Sequence, residues 1–524
     1  MKRYKISWML ALLVTALSSC SDYLDINTNP NAATSADALL VLPQAIVGSA
    51  SVSSQFNNYG GHFGGYIANA GGFSGFGNLF NYQLVPGDYN GLWTSTYDNL
   101  NDYQYVINQT AGNDELAYAN AASKIMVAMN YQKLVDAFGN VPYTEALKNN
   151  ANLTPKYDDA ATIYQDLVVK LDSAITIIDA AQFPKSLNAS SDPLFAGDMT
   201  KWKKFANTIK LKIFIRVSGV AALSSFVTTG FAKLDKTLGF LTDDAIVNPG
   251  YVKDKPNPTW NTWGYSTTGA LANSSRIATK FAFGFYKGQK LTDEGRGKEI
   301  YVNFDTNTPV NQLGNEVDAP TIITNYSTWY TGDFSSSSSI SNALGVLKGP
   351  SQGQVLMLLA ESEFLQAEAK LKSFLAGDFT TNFDAGISAS FRYIYKDVTN
   401  VVDAGKNVAA DVATYKKDNA ESYLVNIKLA TTPAQRLEAI ITQKYIAVNM
   451  INSEEGYNEF RRTGYPVTAA NGDAYHNIAS LLSTSTRADK LPSRILYPSS
   501  EQSYNAGNYK AINQFTDLIF WDPN

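Results

Sequence analysis

The sequence predicts a mostly α-helical protein with long irregular loops, and three observations carry that expectation. Five segments place apolar residues near a 3.6-residue period: 116–137, 160–180, 201–217, 355–375 and 434–450. The last opens on a start signal, in which Thr432 can cap, Pro433 takes the first helical position and Gln435 can reach back to the cap. No strand-rich alternation competes with these segments. Helices in tandem suggest an α-solenoid or an irregular helical bundle, with no repeat period visible.

Composition bounds the chemistry. The 524 residues are 45% hydrophobic and 17% charged, which suits a large core and is too little charge for a disordered chain. One Cys forbids an intrachain disulfide and a thiolate cluster, and two His cannot build a three-histidine metal site. A formal charge of -5 argues against a nucleic-acid partner. No EF-hand-like pattern is present, and no metal or other cofactor is expected.

In chain order, Lys2, Arg3 and Lys5 precede an uncharged apolar run, Ile6 to Leu17, and then Leu17-Ser18-Ser19-Cys20. This pattern marks residues 1–19 as a signal peptide, 20–35 as a polar tether and 36–524 as the folded body, a single domain. The Leu-Ser-Ser-Cys sequence resembles a bacterial lipoprotein box, in which Cys20 becomes the acylated first residue. Removing residues 1–19 takes away three basic and no acidic side chains, lowering the balance to -8. An acidic body would therefore depend on the lipid, not on charge, to stay at an anionic membrane. No later stretch reads as long and apolar enough to span a bilayer.

From Ile6 to Ser123 there is no Lys or Arg. Inside this stretch Phe56, Tyr59, Phe63 and Tyr66 are spaced as the stripe of a buried helix face, and the Gly60/Gly61 and Gly64/Gly65 pairs would let a neighbouring helix come close. Residues 70–82 are too glycine-rich for a helix and should form a loop, which makes Phe73, Phe76 and Tyr82 candidates for exposed rings. Trp93, Tyr97 and Leu100 read as core, as do Trp202 and Phe205. Residues 248–265, with three Pro and two Trp, and residues 325–341, with a Ser run flanked by aromatics, cannot be continuous helices. Aromatic rings in such loops, with neutral amides and hydroxyls around them, suit a neutral oligosaccharide and equally a peptide. The candidate ligand contacts are Trp260, Trp263, Trp329 and Tyr330, with Phe76 and Tyr82 as second choices. For each Trp the alternative is a loop anchor packed into the body. His62 and His476 have no triad context.

Four further segments resemble the SusD/RagB family of outer-membrane nutrient-binding lipoproteins, in its SusD-like branch: DAFGNVPYTEAL at 136–147, MLLAESEFLQAEA at 357–369, ITQKYIAVNMINSEEGYNEFRRTGYP at 441–466 and LPSRILYPSSEQSYN at 491–505. The resemblance implies a scaffold of tetratricopeptide-like helix pairs, with a loop-rich, ligand-facing portion at about 221–345. It further implies a cell-surface, lipid-anchored protein of the outer membrane that captures oligosaccharide, or peptide in some relatives. Such a protein acts as a lid on a SusC-like TonB-dependent transporter and is not an enzyme. A surface glycoside hydrolase is the remaining alternative, although 47 acidic residues contain no motif for one. The matching segments themselves read as structural, with Arg461 and Arg462 pairing with carboxylates and capping carbonyls, and with Glu361 and Glu368 on one helix face.

Overall fold

The computed structural model describes residues 36–70, 77–79, 81–306, 313, 328–332, 343–469 and 473–523. Eleven helices of ten residues or more form two arrays among them. The first comprises α1 (Ala38–Phe63), α2 (Asn90–Thr110), α3 (Ala117–Phe138), α4 (Ala160–Ala180) and α5 (Met199–Arg216), each packed on the next, with α6 (Ser224–Lys233) against α5. Short polar caps start several of them: the carboxylates of Asp37, Asp159 and Asp198 accept from the backbone N–H of Leu39, Thr162 and Lys201.

The second array holds α7 (Leu359–Leu371), α8 (Phe379–Ile394), α9 (Val408–Asp418), α10 (Pro433–Ala447) and α11 (Ser453–Thr463). Its α10 begins on the capping box read from Thr432, Pro433 and Gln435, with both reciprocal hydrogen bonds formed. Helix α7 packs on α8, α10 and, across the gap, α5; α11 packs on α10 and returns to α1. Thus α5–α7 and α1–α11 are the seams that join the arrays.

Between the arrays, the described residues of 234–358 are less regular. Two antiparallel pairings tie them down, β1 (Ile67–Asn69) with β5 (Arg276–Ala278) and β4 (Ala245–Val247) with β6 (Gln354–Met357), while β2 (Val141–Pro142) pairs with β3 (Tyr157–Asp158) inside the first array. Strand β6 corrects the helix expected over 355–375. Val355, Leu356 and Met357 pair with β4, and the helix starts only at Leu359, whose N–H donates to the Asp244 carboxylate at 2.8 Å. A short apolar run fits either period, and here a partner strand 100 residues away decides.

Helix α1 also qualifies the membrane reading, since by length and composition it is apolar enough to cross a bilayer. It is instead a core helix. Ser49, Asn57 and His62 are buried along it, and its Phe56–Tyr59–Phe63 stripe is interior, as is Tyr66 just past its end. The role expected of the glycines is realised at Gly60, where a Cβ would lie 2.0–2.4 Å from backbone atoms of Ser453 and Glu454 on α11. Trp93, Leu100, Trp202 and Phe205 are buried as expected, with Tyr97 partly so.

The seams carry a buried charge network. Lys212 and Arg216 on α5 meet Glu455 on α11 at 2.7 and 2.5 Å, and Lys212 lies 3.0 Å from Glu361 on α7. Arg462 binds both oxygens of Glu368 at 2.7 and 2.6 Å and also contacts Glu459, which in turn holds Lys444 at 2.9 Å. Lys133 on α3 pairs with Glu454. Arg461 does the other job foreseen for the Arg pair: it donates to the carbonyls of Asp136, at 2.8 Å, and Ser493. Burial alone would raise the Glu455 carboxyl, but Lys212, Arg216 and Lys444 hold it well below the usual carboxylate range. Neighbouring Arg and Lys side chains likewise hold Glu368 and Glu459 low, whereas burial raises the Glu454 carboxyl, and together these pairs brace the frame.

Candidate functional site

The loop-rich portion is organised by a short helix that the sequence reading did not resolve. Asn257 accepts from the N–H of Trp260 at 3.0 Å, Pro258 sits in the first turn, and residues Pro258–Trp263 make about a turn and a half of helix. Its first Trp is 1% exposed and lies so close to Gly264 that a Cβ there would come 2.5 Å from the ring. Its second, Trp263, is 3% exposed and meets Trp329, 4% exposed, with ring centroids 5.0 Å apart at 65°. Segment 328–330 is held against 300–302 by Val302 N–H to Thr328 O and Tyr330 N–H to Ile300 O, both 2.8 Å. Neither the Trp263 nor the Trp329 indole N–H has a hydrogen-bond partner.

Of the sequence-predicted contacts, then, the structure brings Trp263 and Trp329 together, with Tyr330 beside them and partly exposed. All three Trp occupy the anchor position that was the alternative for each. Tyr82 corrects the exposed-ring expectation. Its ring is fully buried against Phe63, centroids 5.5 Å apart, and its hydroxyl accepts from the Ser480 N–H at 3.0 Å. Glycine-rich neighbours in sequence made its segment a loop, but tertiary packing turned this side chain inward. Phe76 and Cys20 lie outside the described residues.

Next to this cluster a hairpin-like turn runs from Gly264 to Ala272, closed by Ser266 N–H to Ala270 O and Ala272 N–H to Gly264 O, each 2.8 Å. It leads to β5, whose pairing with β1 places Arg276 opposite Asn69. Arg276 Nε donates to His62 Nε2 at 3.2 Å, and its Nη1 donates to Asn273 and Ser275 at 3.1 and 3.2 Å. Burial, and then the nearby guanidinium, lower the His62 imidazole from 6.5 to about 3, so it is a neutral acceptor at pH 7. Sequence reasoning missed Arg276. The basic-free stretch is supplied with a cation from more than 150 residues away, and only strand pairing reveals it.

Several acids among the described residues of this portion are paired: Asp293 with Arg296 at 2.6 Å, Glu299 with Lys406, and Glu294 and Asp305 with Lys298 at 3.1 and 3.3 Å. His476 is exposed beside Asp473 at 3.1 Å. Among the described residues no group of three or more His, Cys, Asp or Glu is placed to hold a metal. Around the Trp263–Trp329 pair the described residues offer rings, amides and hydroxyls, with the Arg276 guanidinium on the neighbouring strand, groups suited to holding a polar ligand.

A family model described as SusD-like, starch-binding and associating with the outer membrane matches residues 30–498. The chain belongs to this family. Solved structures agree in fold: a SusD homologue from Bacteroides uniformis, 21% identical with a TM-score of 0.69, covers 92% of this chain and 99% of its own. A SusD homologue from Bacteroides fragilis, 19% identical, has a TM-score of 0.68 at the same coverages. A chitin-binding SusD homologue from Flavobacterium johnsoniae, also 19% identical, has a TM-score of 0.67, again covering 92% and 99%. A search of curated proteins finds no match. The two arrays are accordingly the tetratricopeptide-like helix-pair scaffold of SusD-like proteins.

Proposed function

We propose that this protein is a non-catalytic, cell-surface glycan-binding lipoprotein, anchored to the outer membrane through Cys20, which captures neutral oligosaccharide on its loop-rich face. It then delivers the glycan as a lid to a SusC-like TonB-dependent transporter. The carrying observation is the match of 469 consecutive residues, 30–498, to a family described as starch-binding and outer-membrane-associated. The chitin-binding Flavobacterium homologue of the same fold points to the same ligand class. The physical support is the inventory of the face. Tyr330 offers partly exposed ring surface, Trp263 and Trp329 fix the loops that present it, and the neighbouring hydroxyls and amides supply directed hydrogen bonds.

Calorimetry of the purified protein against a panel of neutral glycans and a panel of peptides tests the reading. Saturable binding of a glycan, with no release of reducing ends on incubation, supports it. Binding confined to peptides, or turnover of polysaccharide, overturns it. Purification from native outer membranes with a barrel transporter attached supports the lid role, and its purification alone from the same membranes counts against that role.

A further inference from the structure

Two of the family-matching segments, 136–147 and 491–505, converge on a pocket of about 520 Å3 whose lining includes no residue of the loop-rich portion, within the roughly 300–1,000 Å3 typical of small-molecule sites. Its lining includes Gly139, Lys156, Tyr157, Arg494, Tyr497, Tyr509 and Lys510. Five arginines are buried among the described residues: Arg216, Arg296, Arg461, Arg462 and Arg494. The first four donate to a carboxylate or carbonyl oxygen. Arg494 donates to neither. It is 7% exposed, and its Nε and Nη2 have no hydrogen-bond partner.

Local structure explains why the guanidinium sits there. Gly139 has φ +75°, and a Cβ on it would lie 2.9 Å from Arg494 Nη1, so the missing side chain makes the space. The Tyr497 ring, centroid 5.0 Å from the guanidinium carbon, covers it, and its hydroxyl donates to Asn140 O at 2.7 Å, leaving its oxygen to accept from Arg494. Tyr157 and Tyr509 flank Tyr497 at centroid distances of 4.9 and 6.5 Å. Lys156 and Lys510 are exposed at the lip. Lys156 reaches Glu145 only at 4.0 Å, and the one carboxylate lining the pocket, Asp517, accepts from the Asn513 N–H at 2.8 Å. Three cations thus face one carboxylate around a wall of tyrosine rings.

A buried guanidinium with unused donors costs stability unless an anion fills its fork. Its planar donors match a carboxylate, and tyrosine rings beside it match the C–H face of a sugar. We propose that this pocket is a second ligand site, independent of the loop-rich face, which binds the carboxylate of an acidic sugar through Arg494 with Lys510 and Lys156 at the rim.

The test is titration of the purified protein at low ionic strength with glucuronate, glucose and sodium sulfate, followed by calorimetry and ligand-observed NMR. Glucuronate should bind where glucose at equal concentration does not, and added salt should weaken it. Arg494→Gln should weaken glucuronate binding by about tenfold or more, the loss of a charge-assisted hydrogen bond. Lys510→Gln, at an exposed position that cannot upset the fold, should weaken it by about two- to fivefold. Equal binding of glucose and glucuronate, or unchanged glucuronate affinity in Lys510→Gln, would overturn the proposal. Sulfate binding as tightly as glucuronate would overturn the sugar assignment and leave a site for a free inorganic anion.

Discussion

At the seams between the helix arrays, buried side chains are charged and matched: Glu361, Glu368, Glu454, Glu455 and Glu459 meet Lys133, Lys212, Arg216, Lys444 and Arg462. On the loop-rich face, beside the buried Asp293–Arg296 pair, two indole N–H groups lack partners and a His is held neutral by burial. The first arrangement fixes geometry, because removing any one charge strands its partner in a low-dielectric interior. The second keeps hydrogen-bonding capacity near the surface, as a binding face requires. A dense network of buried ion pairs therefore marks the frame of this protein, and the loop-rich face has no comparable network among the described residues.

That contrast can be broken by substitution. Glu455→Gln leaves Lys212 and Arg216 without their shared counterion and should cost about 3–5 kcal/mol in urea unfolding. A cost near zero would mean that the network is not the brace described. Trp329→Ala removes the ring that meets Trp263 and should cost up to about 3 kcal/mol, the low end for a buried Trp, because the loops around it can relax. If glycan binding falls while the melting temperature stays put, Trp329 leaves the interior to touch ligand. Gly60→Ala drives a methyl into the backbone of Ser453 and Glu454 at the α1–α11 seam and should cost about 1–3 kcal/mol.

A pH titration sharpens the same comparison. Lys348 is buried, donating to the carbonyls of Tyr393 at 3.0 Å and Lys396 at 2.7 Å, and burial lowers its ammonium from 10.5 to about 7. Between pH 7 and 10.5 the unfolded chain holds a proton there that the folded chain has released, so stability should rise with pH across that window. Below pH 7 both states are protonated and this contribution is absent. Lys348→Met should flatten the rise, as read from unfolding midpoints at pH 7 and pH 10. The smallest stability effect belongs to Tyr330→Ala, expected within about 1 kcal/mol of the parent protein, with a clear loss of glycan affinity in calorimetry.

Much of the frame was legible in the residues. The 160–180 helix, the capping box at Thr432 and the split roles of Arg461 and Arg462 depend on neighbours within a few positions or on side-chain chemistry with few alternatives. The site was less legible. Tyr82 and the three Trp occur in loop-like sequence, and loop sequence does not say which way a ring points. Arg276 and Arg494 were invisible as site residues because their environments are assembled from β1 with β5, and from residue 139 with residue 494.

By itself, then, the sequence determined the helical class, the register of the periodic helices, the packing stripe on α1 and the close approach at Gly60, all of which follow from period and residue size. Only the tertiary structure decided that Val355–Met357 belongs to a strand, that the loop tryptophans are buried, and that one of the five buried arginines among the described residues lines a pocket with two donors unused. Those outcomes depend on partners tens to hundreds of residues away, and such distant contacts leave no local pattern in the chain.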